Sequence, residues 1–433
     1  MARLTVLDLR GDRSDPRDRI PRPRDQVAAA TDVVRDILAA VRERGDDEVR
    51  ALTSRFDRVE LDDLRVPQAA LDAALEDLDP DLRAAIDRAV DQVRWFHEKA
   101  APTDWEETRD GVRMGQWHRP IQRVGVYIPG GKAAYPSTVI MTVVPAQVAG
   151  VGEVVLCVPP TGDGGVPDRT VLATASLLGV GHVFSIGGAQ AIAAMAYGTD
   201  SVPACDKIVG PGNVYVALAK AQVQAEGVCG IDSIAGPTEI AIVADRTADP
   251  RVVAADLVSQ AEHDELASAI LITADEDLVA PVEAALEDEV AATKHRQRIE
   301  ASLAGQGTVV LVDDIDHAVQ VAEAYAAEHL EVQTVDAAAV AERIRYAGTT
   351  FIGHDTPVSL GDYAAGPNHT LPVLGTARFT GGLTTASYLV PVNYVEVTRD
   401  ALADLAPSVR QLAAAEDLPA HARAVDVRLE GDA

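Results

Sequence analysis

The sequence predicts an α/β protein with two parallel-sheet units, preceded by a helical part and followed by a small C-terminal arm. The first hundred or so residues place apolar side chains three and four positions apart, as helices do. From Val124 onward, strand-like apolar runs alternate with helical runs, and the pattern restarts after the stretch GIDSIAGPTE. Such alternation is typical of parallel sheets whose strands are joined by crossover helices.

The N-terminal part is predicted to contain helices and no strand. Its clearest helices are DQVAAATDVVRDILAAVRERGDDEVRAL and PDLRAAIDRAVDQVRWFHEKA. The next stretch, APTDWEE, indicates a linker. The first α/β unit then has the predicted strands RVGVYIP, EVVLCVPP, HVFSIGG and KIVGPG, and the second has IAIVAD, SAILITAD, GTVVLVDD and LEVQTVD. The C-terminal residues, beginning with TARFTGGLTTASY and ending in two short helical segments, indicate an arm or small cap.

Composition and charge exclude several classes of function. The chain has 433 residues, which suggests two or three domains, and its 47% hydrophobic content is ample for buried cores. Its formal net charge of −29 repels phosphate backbones and anionic lipid head groups, so we expect no nucleic-acid or membrane binding. The N-terminal residues are charged and contain no apolar signal region, which predicts a cytoplasmic protein.

The three cysteines are too few and too scattered for a zinc knuckle or a disulfide framework. Cys157 lies in an apolar strand and is predicted to be a core residue. Cys205 and Cys229 lack a neighbouring histidine or Gly-rich setting that would make either thiol a nucleophile, so we do not expect thiol catalysis.

A first candidate site is the stretch LVSQAEHDEL, in which Gln260 and His263 fall three positions apart in a predicted helix. Asp249 is a plausible N-cap and Pro250 a plausible first residue of this helix. Positions three apart lie about 60° apart around a helix, so both side chains can reach one ligand. By itself the pair is explained at least as well by polar packing.

A second candidate is the loop GHDTPVSLGDYAAGPNHTLP. It concentrates five polar side chains among Gly and Pro, namely His354, Asp355, Asp362, Asn368 and His369. Carboxylates and imidazoles are ligands that Zn²⁺ accepts when cysteine is absent. An ordinary turn-rich loop whose Asp and Asn bond their own backbone explains the composition equally well.

Two Glu and His combinations complete the candidates. Glu328 and His329 are adjacent between a predicted helix and a predicted strand, and could present a general-base pair at the carboxyl edge of an α/β unit. The alternative is a histidine that interacts with the helix dipole. Glu416 and His421 lie in a terminal helical segment, where a solvated helix end is the simpler explanation.

The cofactor signal is indirect. KIVGPGNVYVALA combines a strand, Gly210 and Gly212, and a helix, but Tyr215 stands where a dinucleotide fingerprint requires its third glycine. The turns YIPGGKAAYPST and IGGAQAIA could equally bring backbone amides to a pyrophosphate at a helix N-terminus.

Eight motifs taken in order give the chain a specific resemblance. VGVYIPGG, GGAQAIAA, VGPGNVYV, IAGPTE, SQAEHD, AEHLEV, GDYAAGPNHTLP and LPAHARAV closely resemble the L-histidinol dehydrogenase family. The similarity spans essentially the whole chain and is loosest in the helical first hundred residues.

The resemblance implies specific roles for the candidate residues. The zinc ligands would be Gln260, His263, Asp362 and His421, and the catalytic pair would be Glu328 and His329. The NAD positions would be Tyr127, Gln190 and Asn213. Thr238, His369 and Glu416 would contact the substrate, together with His329 and the four metal ligands.

The resemblance also implies an architecture and a reaction. The two units would be Rossmann-like, with one inserted in the other: residues 1–24 would be an N-terminal tail, 25–126 and 237–378 the first large domain, 127–236 the inserted NAD-binding domain, and 379–433 the arm. Glu416 and His421 would act across a homodimer. The reaction would oxidise L-histidinol to L-histidine with two NAD, with His329 and then Glu328 as base and zinc as a template for the substrate.

Other interpretations stay open from the sequence. The closest is a related zinc and NAD dehydrogenase of another small amino alcohol or diol. A zinc hydrolase with Glu328 activating water is a second, and a non-catalytic metal-binding protein is a third. Mn²⁺ or Co²⁺ could occupy the same set of nitrogen and oxygen ligands.

Overall fold

The computed structural model describes residues 4–23, 27–130, 133–161, 164–234 and 236–430. It divides into two compact units, one formed by Met1–Ala100 and Ile121–Tyr388 and the other by Ala101–Pro120 and Leu389–Ala433. The predicted α/β class is confirmed, with two parallel sheets and a helical N-terminal part.

The element bounds are as follows. The strands are β1 (Thr5–Asp8), β2 (Trp105–Arg109), β3 (Val112–Pro120), β4 (Arg123–Tyr127), β5 (Glu153–Val158), β6 (His182–Ser185), β7 (Lys207–Val209), β8 (Gly230–Ile231), β9 (Glu239–Ala244), β10 (Ser268–Thr273), β11 (Gly307–Leu311), β12 (His329–Gln333), β13 (Thr349–Ile352) and β14 (Leu389–Val397). The helices are α1 (Val27–Asp57), α2 (Gln68–Glu76), α3 (Pro80–Lys99), α4 (Pro136–Ala149), α5 (Arg169–Leu177), α6 (Gly188–Tyr197), α7 (Val214–Ala225), α8 (Pro250–Ala261), α9 (Val279–Ala292), α10 (Arg296–Gln306), α11 (Ile315–Tyr325), α12 (Ala337–Ala341), α13 (Val358–Tyr363), α14 (Arg399–Ala415) and α15 (Pro419–Leu429). Short 3₁₀ helices cover Glu276–Leu278, Thr376–Arg378 and Thr385–Tyr388.

The larger unit contains both parallel sheets. One has five strands in the order β6–β5–β4–β7–β8, and the other has six in the order β1–β11–β10–β9–β12–β13. In the five-stranded sheet the chain first builds outward from β4 to β6 and then returns to pair β7 with β4. This reversal creates a topological switch point at the carboxyl ends of β4 and β7, where such sheets bind ligands.

The N-terminal helices pack against the helices that cover the five-stranded sheet. Helix α1 contacts α6 and α7, α2 contacts α5, and α3 contacts α4. Val34 and Leu38 of α1 share a core with Ile192 of α6, and Val93 of α3 shares another with Val139 of α4. The apolar faces of these helices are therefore buried against the part of the chain that contains the five-stranded sheet. The domain division implied by the family, which groups residues 25–126 with 237–378, stays a prediction.

Two segments expected to lack strands contain one. Residues of β1 were predicted within an N-terminal tail, but β1 pairs in parallel with β11 at the edge of the six-stranded sheet. The predicted linker APTDWEE contains the start of β2, which pairs with β3. Both predictions of a strand-free segment were wrong. The strands are only four and five residues long, and each is defined by pairing with another strand, which local periodicity does not reveal.

The smaller unit is an antiparallel sheet with two helices. Its strands are ordered β14–β3–β2, and α14 packs against α15. Thr398 caps α14 by accepting a hydrogen bond from the Ala401 amide. Across the described ranges of both units, no helix combines the length and the apolar character needed to cross a bilayer.

The turn after β7 generates a test of the fold. Gly210 has φ +115°, and a Cβ added there would lie 2.2 Å from the Tyr127 carbonyl oxygen. We expect Gly210→Ala to lower the free energy of unfolding by roughly 2–4 kcal/mol, from backbone strain plus a steric clash. Gly227→Ala is the matched control, since Gly227 also has positive φ but open space around it, and should lose only about 1 kcal/mol. Equal losses in denaturant unfolding would contradict this account.

Candidate active site

The candidate site lies at the amino-terminal edge of the six-stranded sheet. His329 is the first residue of β12, Glu328 directly precedes it, and Thr238 directly precedes β9. The sequence analysis placed the Glu-His pair at a carboxyl edge. That placement was wrong, because the two residues come before their strand rather than after it.

Three helices end at this edge. Helix α8 ends at Ala261, α11 at Tyr325 and α13 at Tyr363. The carboxyl end of a helix carries a partial negative charge from unpaired carbonyl groups, so it favours a nearby cation. This edge of the sheet therefore suits a metal ion or a positively charged substrate.

Glu328 is buried and held through one carboxylate oxygen. Its Oε2 accepts hydrogen bonds from the Thr238 hydroxyl and from the backbone amide of Glu239, the latter at 2.9 Å. Burial raises the pKa of Glu328 to about 8, although these two hydrogen bonds act in the opposite direction. The negative charges of Glu239 and Asp362 add to the increase. The carboxyl group is thus a base that gains its proton easily.

His329 is also buried and faces two carboxylates. Its Nδ1 lies 3.7 Å from Glu328 Oε2, and its Nε2 lies 3.8 Å from Asp362 Oδ1. Neither ring nitrogen makes a well-formed hydrogen bond within the described residues. Burial lowers the pKa of His329 to about 4, against the effect of Asp362, so the imidazole is neutral at physiological pH.

Gln260 and His263 reach the same edge by different routes. Gln260 is buried in the last turn of α8 and donates through Nε2 to the Thr238 hydroxyl. His263 was predicted inside this helix but lies two residues beyond its end, because Asp264 accepts a hydrogen bond from the Leu266 amide and starts a turn. His263 is exposed, and a positive charge on it would lower the pKa of His329.

Asp362 and His369 come from α13 and the loop that follows it. His369 Nδ1 lies 3.0 Å from the Asp362 carbonyl oxygen, and its Nε2 lies 3.3 Å from the Thr138 hydroxyl of α4. Burial lowers the pKa of His369. Because α4 follows β4 of the five-stranded sheet, His369 connects the candidate site to the other sheet of the same unit.

The remaining members of the second predicted loop have different positions. Asn368 is buried and donates to the Met141 carbonyl of α4 at 2.5 Å, which makes it a structural residue of the loop. His354 and Asp355 lie in the turn between β13 and α13, and both are exposed. Glu416 and His421 lie in the smaller unit, at the end of α14 and in α15, and both are exposed.

The residues at this edge fit part of a zinc site. Within the described ranges, no three His, Cys, Asp or Glu side chains are grouped closely enough to hold a metal ion. Gln260, His263 and Asp362 nevertheless offer an amide oxygen, an imidazole and a carboxylate, a donor set that a borderline divalent ion accepts. Gln260 Oε1 is buried and has no hydrogen-bond partner in the described chain, which is unfavourable unless a ligand pairs with it.

The predicted cofactor residues lie at the carboxyl edge of the five-stranded sheet. Tyr127 ends β4, and its hydroxyl accepts a hydrogen bond of 3.1 Å from the Gly188 amide at the start of α6. Burial raises the pKa of Tyr127 to about 12. Gln190 is buried in the first turn of α6, and Asn213 caps α7 by accepting from the Tyr215 amide. Residues 131–132 of the turn after β4 lie outside the described residues.

Helix N-termini dominate this second edge. Both α6 and α7 begin there, and their free amides and dipoles favour a negatively charged group such as a pyrophosphate.

The cysteines provide no alternative nucleophile. All three are buried free thiols. Burial raises the pKa of each thiol, to about 12 for Cys229, so all three stay protonated.

Sequence reasoning missed a set of buried polar residues beside the site. They are Glu239, Asp256, Glu331 and Gln333. A signal was present in β12, where the polar residues His329, Glu331 and Gln333 alternate with Leu330 and Val332 in a strand whose every residue is buried. Polar residues at period two in a buried strand must find partners on one face of the sheet.

Comparison with known proteins identifies the family. The sequence profile described as histidinol dehydrogenase matches residues 20–429. The histidinol dehydrogenase of Thermobifida fusca is 50% identical over 431 residues, covering 98% of each chain. That of Mycobacterium tuberculosis H37Rv is 50% identical over 438 residues, covering 99% of this chain and 98% of the relative.

A solved structure has the same fold over its full length. The crystal structure of histidinol dehydrogenase from Elizabethkingia anophelis matches with a TM-score of 0.94 and 34% identity, covering 99% of this chain and 98% of that chain. The resemblance stated from eight motifs is thereby confirmed. The chain belongs to the histidinol dehydrogenase family.

Proposed function

We propose that this protein oxidises L-histidinol through L-histidinal to L-histidine, the closing steps of histidine biosynthesis, with two NAD as hydride acceptors. The observation that carries the proposal is the buried Glu328 and His329 pair, which faces Asp362 at a sheet edge formed by helix carboxyl ends. Family membership supports the same reaction.

His329 is the proposed base for the alcohol. Because burial lowers its pKa to about 4, its imidazole is neutral and can accept the hydroxyl proton as the adjacent carbon loses a hydride. NAD supplies the hydride acceptor in both oxidations. Asp362, 3.8 Å from Nε2, would stabilise the imidazolium that forms.

Glu328 is the proposed base for the aldehyde. Its hydrogen bonds within the described residues go to Oε2, which leaves Oε1 to accept a proton from water. Hydroxide addition to the aldehyde carbon, with return of the proton to the former carbonyl oxygen, gives the hydrate. Loss of a second hydride and a proton from the hydrate gives the carboxylic acid, so each histidinol consumes one water and two NAD.

We assign the proposed zinc site to residues from both subunits of a homodimer. Gln260, His263 and Asp362 would hold the ion together with His421 of the partner subunit. Zinc bound there would supply a positive charge that anchors the nitrogen atoms of the substrate. Thr238 and His369 would contact the substrate from the same subunit, and the partner's Glu416 would do so across the interface.

The smaller unit supports the dimer. Its strand β14 exposes several apolar side chains, including the neighbours Val395 and Val397 on one face and Val390 on the other, and Val395 is 69% exposed. Leu412 at the end of α14 is 65% exposed. An apolar surface of this kind is typical of an interaction site, and we propose that a second copy covers it.

The free buried thiols are compatible with the cytoplasm, which we propose as the compartment.

Reaction stoichiometry tests the proposed function. With L-histidinol and NAD, we expect about two reduced cofactors per histidine, because each of the two oxidations transfers one hydride. Removal of the metal with a chelator should abolish turnover, and added Zn²⁺ should restore it. The measurement is absorbance of reduced cofactor together with chromatography of histidine. A ratio near one with accumulating aldehyde would contradict the second step.

The pH dependence tests the role of Glu328. A base must be unprotonated, so kcat/KM for histidinal should rise with pH until the raised pKa of about 8 is passed and then level off. Thr238→Val removes a hydrogen bond that lowers this pKa, and should move the rise to higher pH. Glu328→Gln should lose at least about 100-fold in this step. Thr308→Val, a buried hydroxyl in β11, is the control and should leave the profile in place. An unshifted profile in Thr238→Val would contradict the assignment.

Mixing of inactive variants tests the shared site. Glu328→Gln and His421→Ala are each expected to be nearly inactive as pure homodimers. After subunit exchange, a hybrid dimer keeps one site with intact Glu328 and an intact partner His421, so activity should recover to about a quarter of the unmodified enzyme. The control is a mixture of Glu328→Gln with His329→Asn, which cannot restore a site. No recovery in the first mixture, with exchange verified by mass spectrometry, would show that His421 does not act across the interface.

A further inference from the structure

A buried polar cluster lies next to the candidate site and has no role in the proposed chemistry. It consists of Asp256 of α8 with Glu331 and Gln333 of β12, which are 6%, 1% and 2% exposed. Gln333 Nε2 donates to Asp256 Oδ2 at 3.1 Å and to Glu331 Oε2 at 2.9 Å. The two carboxyl groups are also close enough to share a hydrogen bond, which requires a proton on one of them.

The cluster extends to a third element. Glu331 Oε1 accepts a hydrogen bond of 3.0 Å from the backbone amide of Val358, the first residue of α13. A carboxyl group at this position pairs with an amide that has no partner inside the helix. Glu331 thus connects β12 to α13 through Oε1, and its Oε2 accepts from Gln333, which also bonds Asp256 of α8.

Each connected position lies close in sequence to a residue of the proposed zinc and base site. Asp256 precedes Gln260 by one turn of α8, and Val358 precedes Asp362 by about one turn of α13. Glu331 follows His329 by two residues and lies on the same face of β12, because side chains alternate along a strand. The cluster therefore joins the three elements that carry an amide, a carboxylate and the catalytic imidazole.

Hydrogen bonds of this kind restrict geometry more strictly than apolar packing does. Leu257 of α8 and Val358 of α13 belong to one apolar cluster, but apolar burial is non-directional and does not by itself fix the position of each atom. A buried polar group that loses its partner is left desolvated and unsatisfied, so displacement of a helix would be unfavourable at several atoms at once.

We propose that Glu331, together with Asp256 and Gln333, is a positioning cluster that sets the distance between Gln260 on α8 and Asp362 on α13. The inference rests on the proposed function, which assigns both residues to zinc. In this role the cluster touches neither metal nor substrate. It holds two ligands from separate helices at the separation that one ion requires.

Paired substitutions at Asp256 test the proposal. Asp256→Asn keeps the bridge, because its amide oxygen can accept from Gln333 and its amide nitrogen can donate to Glu331 without a shared proton. Asp256→Leu has a similar volume and removes the bridge. We expect zinc affinity to fall about 10- to 100-fold in Asp256→Leu and in Glu331→Leu, and to stay within about threefold of the unmodified protein in Asp256→Asn.

The readout is zinc binding by the full-length protein, measured by competition with a chromophoric chelator. Thermal unfolding of the metal-free variants is measured in parallel, and Thr308→Val controls for the loss of a buried polar group elsewhere in the same sheet. Affinity that follows the bridge, with Asp256→Asn retaining zinc, supports the proposal. Unchanged zinc affinity in Asp256→Leu and Glu331→Leu would overturn it, as would equal losses in Asp256→Asn and Asp256→Leu.

Direct ligand variants separate this inference from the proposed function. Gln260→Ala and Asp362→Ala should lose zinc more severely than any cluster variant. If they lose zinc while the cluster variants retain it, the positioning role fails and the zinc assignment stands. If Gln260→Ala and Asp362→Ala themselves retain zinc, the assignment of the metal site fails first.

Discussion

The orientation of helices in a parallel sheet is the constraint on which both proposed binding regions depend. Crossover helices run against their strands, so helix N-termini collect at the carboxyl edge of a sheet and helix carboxyl ends at the amino edge. The five-stranded sheet offers its carboxyl edge, with α6 and α7 beginning there. The six-stranded sheet offers its amino edge, where α8, α11 and α13 end. One edge suits an anionic dinucleotide and the other a cation.

Burial then determines the chemistry at the amino edge. Low polarity disfavours the charged form of any group, so it raises the pKa of Glu328 and lowers that of His329. Both residues are consequently close to neutral in the absence of ligands. A nearby bound cation would favour the carboxylate, since an opposite charge stabilises the ionised form. The same burial requires partners for the polar residues of β12. Through Glu331 and Gln333 they connect the proposed catalytic residues to α13 and α8.

Part of the candidate site was predictable from the sequence, and the reason differs between residues. Glu328, His329, Gln260 and Asp362 belong to motifs whose order along the chain indicated the family. Their position at an amino edge was not predictable from adjacency to a helix and a strand, because the strand begins with His329 itself. The roles of Asp256 and Gln333 were also hidden, because their hydrogen bond joins residues 77 positions apart.

Sequence patterns were sufficient to predict the α/β class, the helices of the N-terminal part and the Gly-rich turns that follow β4, β6 and β7. These features are local, since hydrophobic period and turn chemistry act over a few residues. Three long-range outcomes became clear from the folded chain: α1, α2 and α3 pack on the helices that cover the five-stranded sheet, β1 joins the six-stranded sheet, and β2 pairs with β3. These outcomes depend on partners that are distant in sequence: the surface that buries an apolar face, or the strand that pairs with another. The local sequence pattern does not identify those partners.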